Sequence, residues 1–263
     1  MTTWKATRRG VIGRLAAGAA ALASPASVIS SARAQSARKT FVLIGGAFFG
    51  AWTWRRVTDR LEQQGHKVYP LTLTGLGDRS HLMSKDINLD THIADIVNLV
   101  EWEDLKDICL VAHSWSGFPA SGALERIGDR VSSFVMVDAL KPDDGQKVID
   151  LFPNLKLPEG AISIPSPRQS TLPDPKDAAW MVSKMTPQPI GPWLQPIKLT
   201  GAREKVAKKT YIRLPKYQGA ALDKAYAECK ADKSWTTLEN TTTQHAAMVD
   251  NPEWLTGVLV QAA

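Results

Sequence analysis

Val111-Ala112-His113-Ser114-Trp115-Ser116-Gly117 is the stretch on which the fold turns. It joins an apolar run, Asp107-Ile108-Cys109-Leu110-Val111, to a segment that reads as a helix from Gly117 to near Gly128. The run has the length and composition of a buried strand. Ser114 therefore stands at a strand-to-helix junction, with the small residues Ala112 and Ser116 two positions away on either side. A chain that folds back so sharply needs small neighbours, and a serine on such a strained turn exposes its hydroxyl above the sheet. The first amides of the helix then face any negative charge that develops on a bound carbonyl oxygen. The competing reading is a buried serine that only caps a helix.

Outward from this junction, strands and helices alternate. Thr40-Phe41-Val42-Leu43-Ile44 reads as a strand ending in Gly45-Gly46, and Trp52 to Gln64 as a helix closed by Gly65. His66 to Leu71 is a second strand, followed by the loop Gly75-Leu76-Gly77-Asp78-Arg79, and Asp90 is the expected cap of a helix reaching Trp102. After the Ser114 junction come a strand from Val131 to Val137 and two late strands, Thr210 to Leu214 and Trp235 to Leu238. A helix around Leu222 to Lys230 separates those two, and Pro252 opens a last helix. Such alternation predicts an α/β fold with a parallel sheet covered on both faces.

The segment from about 141 to 209 breaks the pattern. It holds eleven of the sixteen prolines, a density that forbids long strands or helices apart from a short helix around Ala178 to Met185. Phe152, Ile164, Trp180, Met181, Trp193 and Ile197 make it too apolar for a disordered linker. The expectation is a cap over the edge of the sheet at which open α/β sheets bind ligands.

The first 34 residues read as a targeting segment. Thr7-Arg8-Arg9-Gly10-Val11-Ile12 has the twin-arginine pattern, an apolar stretch runs from Leu15 to Ala23, and Ala32-Arg33-Ala34 suits a cleavage site. The stretch is short for a permanent membrane anchor. The expectation is export by the twin-arginine machinery of a bacterium and cleavage after Ala34, giving a periplasmic or secreted protein. About 229 residues, 35 to 263, then form one domain. Lys5, Arg8, Arg9, Arg14 and Arg33 leave with the segment, so the formal charge of +6 falls to about +1. A nearly neutral domain without a basic, aromatic-laced stripe argues against nucleic-acid binding. The two cysteines, Cys109 and Cys229, are expected to be free and partly buried, and no cluster has metal-ligand spacing. No nicotinamide, flavin or phosphate-loop motif is present, so no cofactor is expected.

Taken together, these segments resemble the α/β-hydrolase superfamily, and within it small bacterial esterases of the pyrethroid-hydrolase type and the plant methylesterase and hydroxynitrile-lyase group. The likeness runs through Phe41 to Ala47 with Gly50-Ala51-Trp52-Thr53-Trp54, Thr72 to Arg79, Leu89 to Ile93, the Ser114 junction, Val137-Asp138-Ala139 with Pro142-Asp143-Asp144-Gly145, and Gln244-His245-Ala246-Ala247-Met248. It implies a mostly parallel sheet of about six strands with helices on both faces and the cap inserted after the strand ending at Asp138. Two departures stand out. Gly45 replaces a common histidine, and Ala112 and Ser116 replace the usual glycines around the serine; all three residues are small.

A serine hydroxyl needs a base within hydrogen-bond reach to act as a nucleophile. The resemblance gives that part to His245 and implies an oxyanion site made by the backbone amides of Ala47 and Trp115. Relatives commonly keep an aspartate shortly after the strand that here is Tyr211-Ile212-Arg213-Leu214, where this chain has Tyr217. A second arrangement known in the superfamily puts the acid after the strand following the Ser114 helix, which selects Asp138, with Asp223 in reserve. The order Ser114, Asp138, His245 is also the superfamily's order. His113 is expected to point away from the site.

Phe48 and Phe49 beside the oxyanion loop, Trp180 and Trp193 in the cap, and His81 near the expected site mouth are candidates for substrate contact. They favour a hydrophobic or aromatic ester over a sugar or phosphate. A lyase or carbon-carbon bond hydrolase on the same scaffold and a noncatalytic ligand-binding protein are the alternatives. Either a monomer or a homodimer is compatible with the sequence.

Overall fold

A computed structural model describes residues 38–157 and 159–263. The expected targeting segment lies outside them. Six strands form one sheet in the order β2-β1-β3-β4-β7-β8, and every neighbouring pair is parallel. They are β1 (Thr40–Ile44), β2 (Lys67–Leu71), β3 (Ile108–His113), β4 (Val131–Val137), β7 (Lys208–Arg213) and β8 (Trp235–Glu239). A two-stranded antiparallel piece, β5 (Ser163–Ile164) with β6 (Gln188–Pro189), lies in the segment between β4 and β7.

The central strands are mostly apolar because both of their faces are covered. Every residue of β3 is buried. Side chains alternate with the period of two that a strand imposes. Val42, Ile44, Leu110, Ala112, Phe134 and Met136 enter the core on one face, whereas Phe41, Leu43, Cys109, Val111, Val135 and Val137 enter the core on the other. The first face is covered by α2 (Leu89–Trp102), α3 (Gly117–Ile127) and α7 (Ala220–Ala231). The second is covered by α1 (Arg55–Gln63), through Val57 and Leu61 four residues apart, and by α9 (Pro252–Ala262), through Leu255 and Leu259. Each such side chain contributes about 1.5–3 kcal/mol by burial. Truncating a central one, as in Leu43→Ala, costs about 2–5 kcal/mol.

Local chemistry decides where the elements begin. The helix expected from Trp52 opens as a 3-10 turn, Ala51–Trp54, before α1. The cap of α2 is Asn88 rather than Asp90: its side chain accepts from the Thr91 N–H, and the Thr91 hydroxyl accepts from the Asn88 N–H. Two orphan amides are satisfied together. In the proline-rich segment, Pro175 starts α4 (Pro175–Lys184), and Asp174 caps it by accepting from the Lys176 and Asp177 N–H groups. Two single-turn helices follow, α5 (Gly191–Leu194) and α6 (Ala202–Lys205). The remaining short helix, α8 (Ala247–Asp250), precedes α9.

The sheet order reverses between β1 and β3, since β2 lies to one side of β1 and β3 to the other. The crevice at the carboxyl ends of two such strands is where open α/β sheets bind ligands. Gly45–Gly50 follows β1 and Ser114 follows β3, so both meet there.

Candidate active site

Ser114 adopts φ +55°, the left-handed conformation that a serine takes only under constraint. Phe48 (φ +69°) and Asp138 (φ +45°) share this region, so among the described residues three of the five non-glycine residues with positive φ lie at one site. Each costs about 1–3 kcal/mol, which the surrounding structure must offset. The hydrogen bonds of Ser116 show how. Its hydroxyl accepts from the His113 N–H at 2.9 Å and lies 2.8 Å from the His113 carbonyl and 3.2 Å from that of Ile44. A residue expected merely to be small also latches β3 to β1. Gly117 is required by close approach, because a Cβ there would lie 2.0 Å from the Leu140 carbonyl. Gly46 is required likewise: a Cβ would lie 2.8 Å from His113 Nδ1 and 3.0 Å from the Ser114 Cβ.

Ser114, His245 and Asp138, far apart in the chain, form one hydrogen-bonded row. The Ser114 hydroxyl lies 2.9 Å from His245 Nε2, and His245 Nδ1 lies 2.6 Å from Asp138 Oδ2. A carboxylate can only accept, so Nδ1 carries the proton and Nε2 is left to accept from the serine. Asp138 is fully buried at the end of β4. Its second oxygen, Oδ1, accepts from Arg213 Nη1 at 2.6 Å and from the Leu214 N–H at 3.1 Å. Arg213 is also buried and reaches further, donating to Asp223 Oδ1 from Nη2 (2.6 Å) and Nε (2.9 Å) and to the Tyr217 carbonyl (3.0 Å). Burial opposes its charge, but the hydrogen bond to Asp223 and the charge of Asp138 outweigh it and raise the guanidinium pKa.

Two rings flank the imidazole. Tyr217 stacks on His245 with centroids 4.2 Å apart and planes 21° from parallel. The residue standing where relatives commonly keep an aspartate is thus a ring partner of the histidine. His113 does not point away from the site: its Nε2–H donates to the His245 carbonyl at 2.9 Å, and the two rings lie 4.6 Å apart. Burial, reinforced by His245, holds the His113 imidazole well below its ordinary pKa, so it is neutral.

The loop after β1 is tied down from the proline-rich segment. Gln188, fully buried on β6, accepts from the Phe48 N–H at 3.0 Å, and the Phe48 carbonyl accepts from the Thr186 N–H at 3.2 Å. The Phe48 amide is therefore occupied. Among the described residues the Ala47 N–H has no protein acceptor, and Ala47 and Trp115 both line the cavity over Ser114.

That cavity has a volume of about 610 Å³. Phe48, Phe49, Phe152, Met181, Trp193 and Tyr217 line it, and among the described residues no Asp, Glu, Lys or Arg does. Two of the expected contact residues lie elsewhere. His81 is exposed on the 3-10 turn Gly77–Leu82, which Arg79 fastens to Asp95 (3.0 Å) and the Thr72 carbonyl (3.1 Å). Trp180 meets Trp52 edge-on at 5.1 Å with the Arg56 guanidinium 5.9 Å from its ring. Met181 on α4 and Met185 just past its end line the cavity, and the Trp180 side chain is turned aside. A second groove, of about 660 Å³, lies between α1 and the end of α4 and is lined by charged groups including Asp59, Glu62 and Lys184. It does not reach Ser114.

Both cysteines are free and buried, and burial pushes each thiol pKa up to about 12. Among the described residues, no group of three or more His, Cys, Asp or Glu could hold a metal ion.

A parallel sheet with a serine, a histidine and an aspartate meeting at its carboxyl edge is the architecture of the α/β-hydrolases. The chain belongs to the alpha/beta hydrolase family, whose model matches residues 41–258. It is similar to the carbendazim hydrolyzing esterase of Nocardioides sp. (strain SG-4G), at 31% identity over 191 residues, covering 65% of this chain and 78% of that protein. Methylesterase 8 of Arabidopsis thaliana is 27% identical over 126 residues, 46% of either chain. For five further relatives from that plant the match spans 26% to 58% of their length. Among solved structures, an extracellular α/β-hydrolase from a Paenibacillus species superposes with a TM-score of 0.74 at 22% identity, covering 86% of this chain and 99% of that one. Tomato methylketone synthase I superposes with a TM-score of 0.71 at 19% identity, covering 85% and 97%. At those identities the structural likeness speaks to the fold.

Proposed function

We propose that this protein is an exported serine hydrolase that cleaves a carboxylic ester of an uncharged hydrophobic or aromatic small molecule through an acyl-enzyme on Ser114. The observation that carries the reading is the hydrogen-bonded row Ser114–His245–Asp138 at the base of an uncharged cavity. The esterase among its relatives supports the same reaction.

In this reading, His245 Nε2 takes the hydroxyl proton as Ser114 Oγ attacks the ester carbonyl. Asp138 keeps Nδ1 protonated and stabilises the imidazolium that forms. The backbone amides of Ala47 and Trp115 hold the oxyanion. Collapse of the tetrahedral intermediate breaks the bond to the alcohol oxygen, which leaves with the proton from His245. Water then attacks the acyl group by the same route, releasing the carboxylic acid and restoring the serine. Phe48, Phe49 and Trp193 supply apolar contact, with 141–209 acting as the cap. A cavity without charged side chains disfavours substrates carrying a carboxylate or ammonium group, whose desolvation it leaves uncompensated. The export part of the reading rests on the twin-arginine stretch Thr7 to Ile12 and the small residues at Ala32 and Ala34.

The test is hydrolysis of p-nitrophenyl esters of graded acyl length by the protein and by Ser114→Ala. Turnover that rises with acyl hydrophobicity and vanishes in the variant is expected. A folded protein inert toward all of these esters counts against the reading and favours the lyase alternative.

A further inference from the structure

We propose that Arg213 is a positioning residue for this site: it fixes the Asp138 carboxylate and balances its charge, and so sets the pH at which His245 is free to act as a base. The inference rests on Ser114, His245 and Asp138 being the working groups.

The geometry divides the carboxylate between two tasks. Oδ2 meets His245, while Oδ1 is held by Arg213 Nη1 and the Leu214 N–H. Arg213 in turn cannot swing, because its remaining donors are spent on Asp223 and on the carbonyls of Leu214 and Tyr217. One buried fork thus anchors Asp138 and, through the Tyr217 carbonyl, the segment carrying the ring that stacks on His245. A lysine offers one point of charge in place of this planar fork.

The charge argument follows from burial. The Asp138 and Arg213 side chains are 0% and 3% exposed, so with His245 neutral a buried anion faces a buried cation. Without the guanidinium, the cation best placed to compensate Asp138 is the His245 imidazolium itself. The histidine would then hold its proton to higher pH and be unavailable as a base. The other titratable groups around the pair come from several elements. His113 at the end of β3 is neutral. Burial pushes the Tyr211 phenol on β7 upward, so it also stays neutral. Tyr217 follows β7, Asp223 on α7 is 64% exposed, and Asp250 on α8 accepts from the Gln244 N–H. Arg213 is the one cation bonded to Asp138 among the described residues.

The experiment is the pH profile of kcat/KM for a neutral aryl ester with the full protein, Arg213→Met, Arg213→Lys and Asp223→Asn, with circular dichroism as the check of folding. In Arg213→Met the acid limb should move up by about one pH unit, roughly a tenfold loss on the acid side. Arg213→Lys keeps the charge but not the fork, so its limb should stay in place while kcat falls. Asp223→Asn removes an anion and should move the limb down, by less, because that carboxylate is exposed. A folded Arg213→Met with an unmoved limb, or a limb that moves as far in Arg213→Lys, overturns the proposal. If Arg213→Met does not fold, an Asp223→Asn limb that stays or rises overturns it instead. Activity that survives Ser114→Ala would mark failure of the underlying reading, a result none of the Arg213 variants produces.

Discussion

His92 makes the stability of this protein depend on pH. It is fully buried on α2, where its Nε2–H donates to the Thr74 carbonyl at 2.8 Å and its ring meets Trp115 edge-on at 5.3 Å. Burial lowers its pKa from 6.5 to about 4. The folded state therefore keeps the ring neutral over a range in which the unfolded chain takes up a proton. Stability from this group is complete above pH 6.5 and drains away as pH falls toward 4. A gap of that width corresponds to on the order of 3 kcal/mol. His113, lowered in the same direction, adds to the loss. Urea denaturation at pH 7, 5.5 and 4.5 measures it, with His92→Gln alongside, since glutamine retains a donor for Thr74 without titrating. The wild type should lose stability steeply over this interval, and the variant should lose about 2–3 kcal/mol less. Parallel pH dependences for the two proteins would refute the assignment of the loss to His92.

Other consequences are as direct. Trp193→Ala should raise KM for long or aromatic acyl groups severalfold, whereas Trp180→Ala, which alters a side chain outside the cavity, should leave KM near the wild-type value. Gln188→Leu removes the acceptor for the Phe48 N–H. It should lower kcat about tenfold with little change in KM, because an oxyanion site loses more in the transition state than in binding. Cys109 and Cys229 should both resist a water-soluble thiol reagent in the folded protein and react in urea. Counting the thiols labelled with and without urea checks the last of these.

Much of the scaffold was legible in the amino-acid sequence, for physical reasons. Phe41 to Ile44 of β1 and Ile108 to Ala112 of β3 are apolar runs because both faces of the sheet are covered, and Pro175 and Pro252 mark helix starts because their fixed φ suits a first turn. The start of α2 was less legible. Asn88 and Thr91 form the reciprocal cap in place of the usual serine or threonine with glutamate or glutamine, so attention falls on Asp90 instead. At the site, Ser114, Asp138 and His245 could be named from local pattern and resemblance, and their meeting at 2.6–2.9 Å is a property of the folded chain. Arg213 could not be named that way. Its importance arises where the ends of β4 and β7 lie side by side, 75 residues apart in sequence. An arginine directly after Tyr211-Ile212, closing a strand, was the signal available. Trp180 and His81 were misplaced because composition marks aromatic residues without saying which side of a helix or turn they occupy.

The proposed reaction runs through an acyl-enzyme on Ser114 formed with Asp138 behind His245. The most direct measurement is rapid acid quench of the protein reacting with an aryl ester, followed by peptide mass spectrometry, with Asp138→Asn in parallel. An acyl group is expected on the Ser114 peptide of the wild type, with acylation slower by about three to four orders of magnitude in the variant. Turnover with no acyl group on Ser114, or an Asp138→Asn protein that acylates at the wild-type rate, would contradict it.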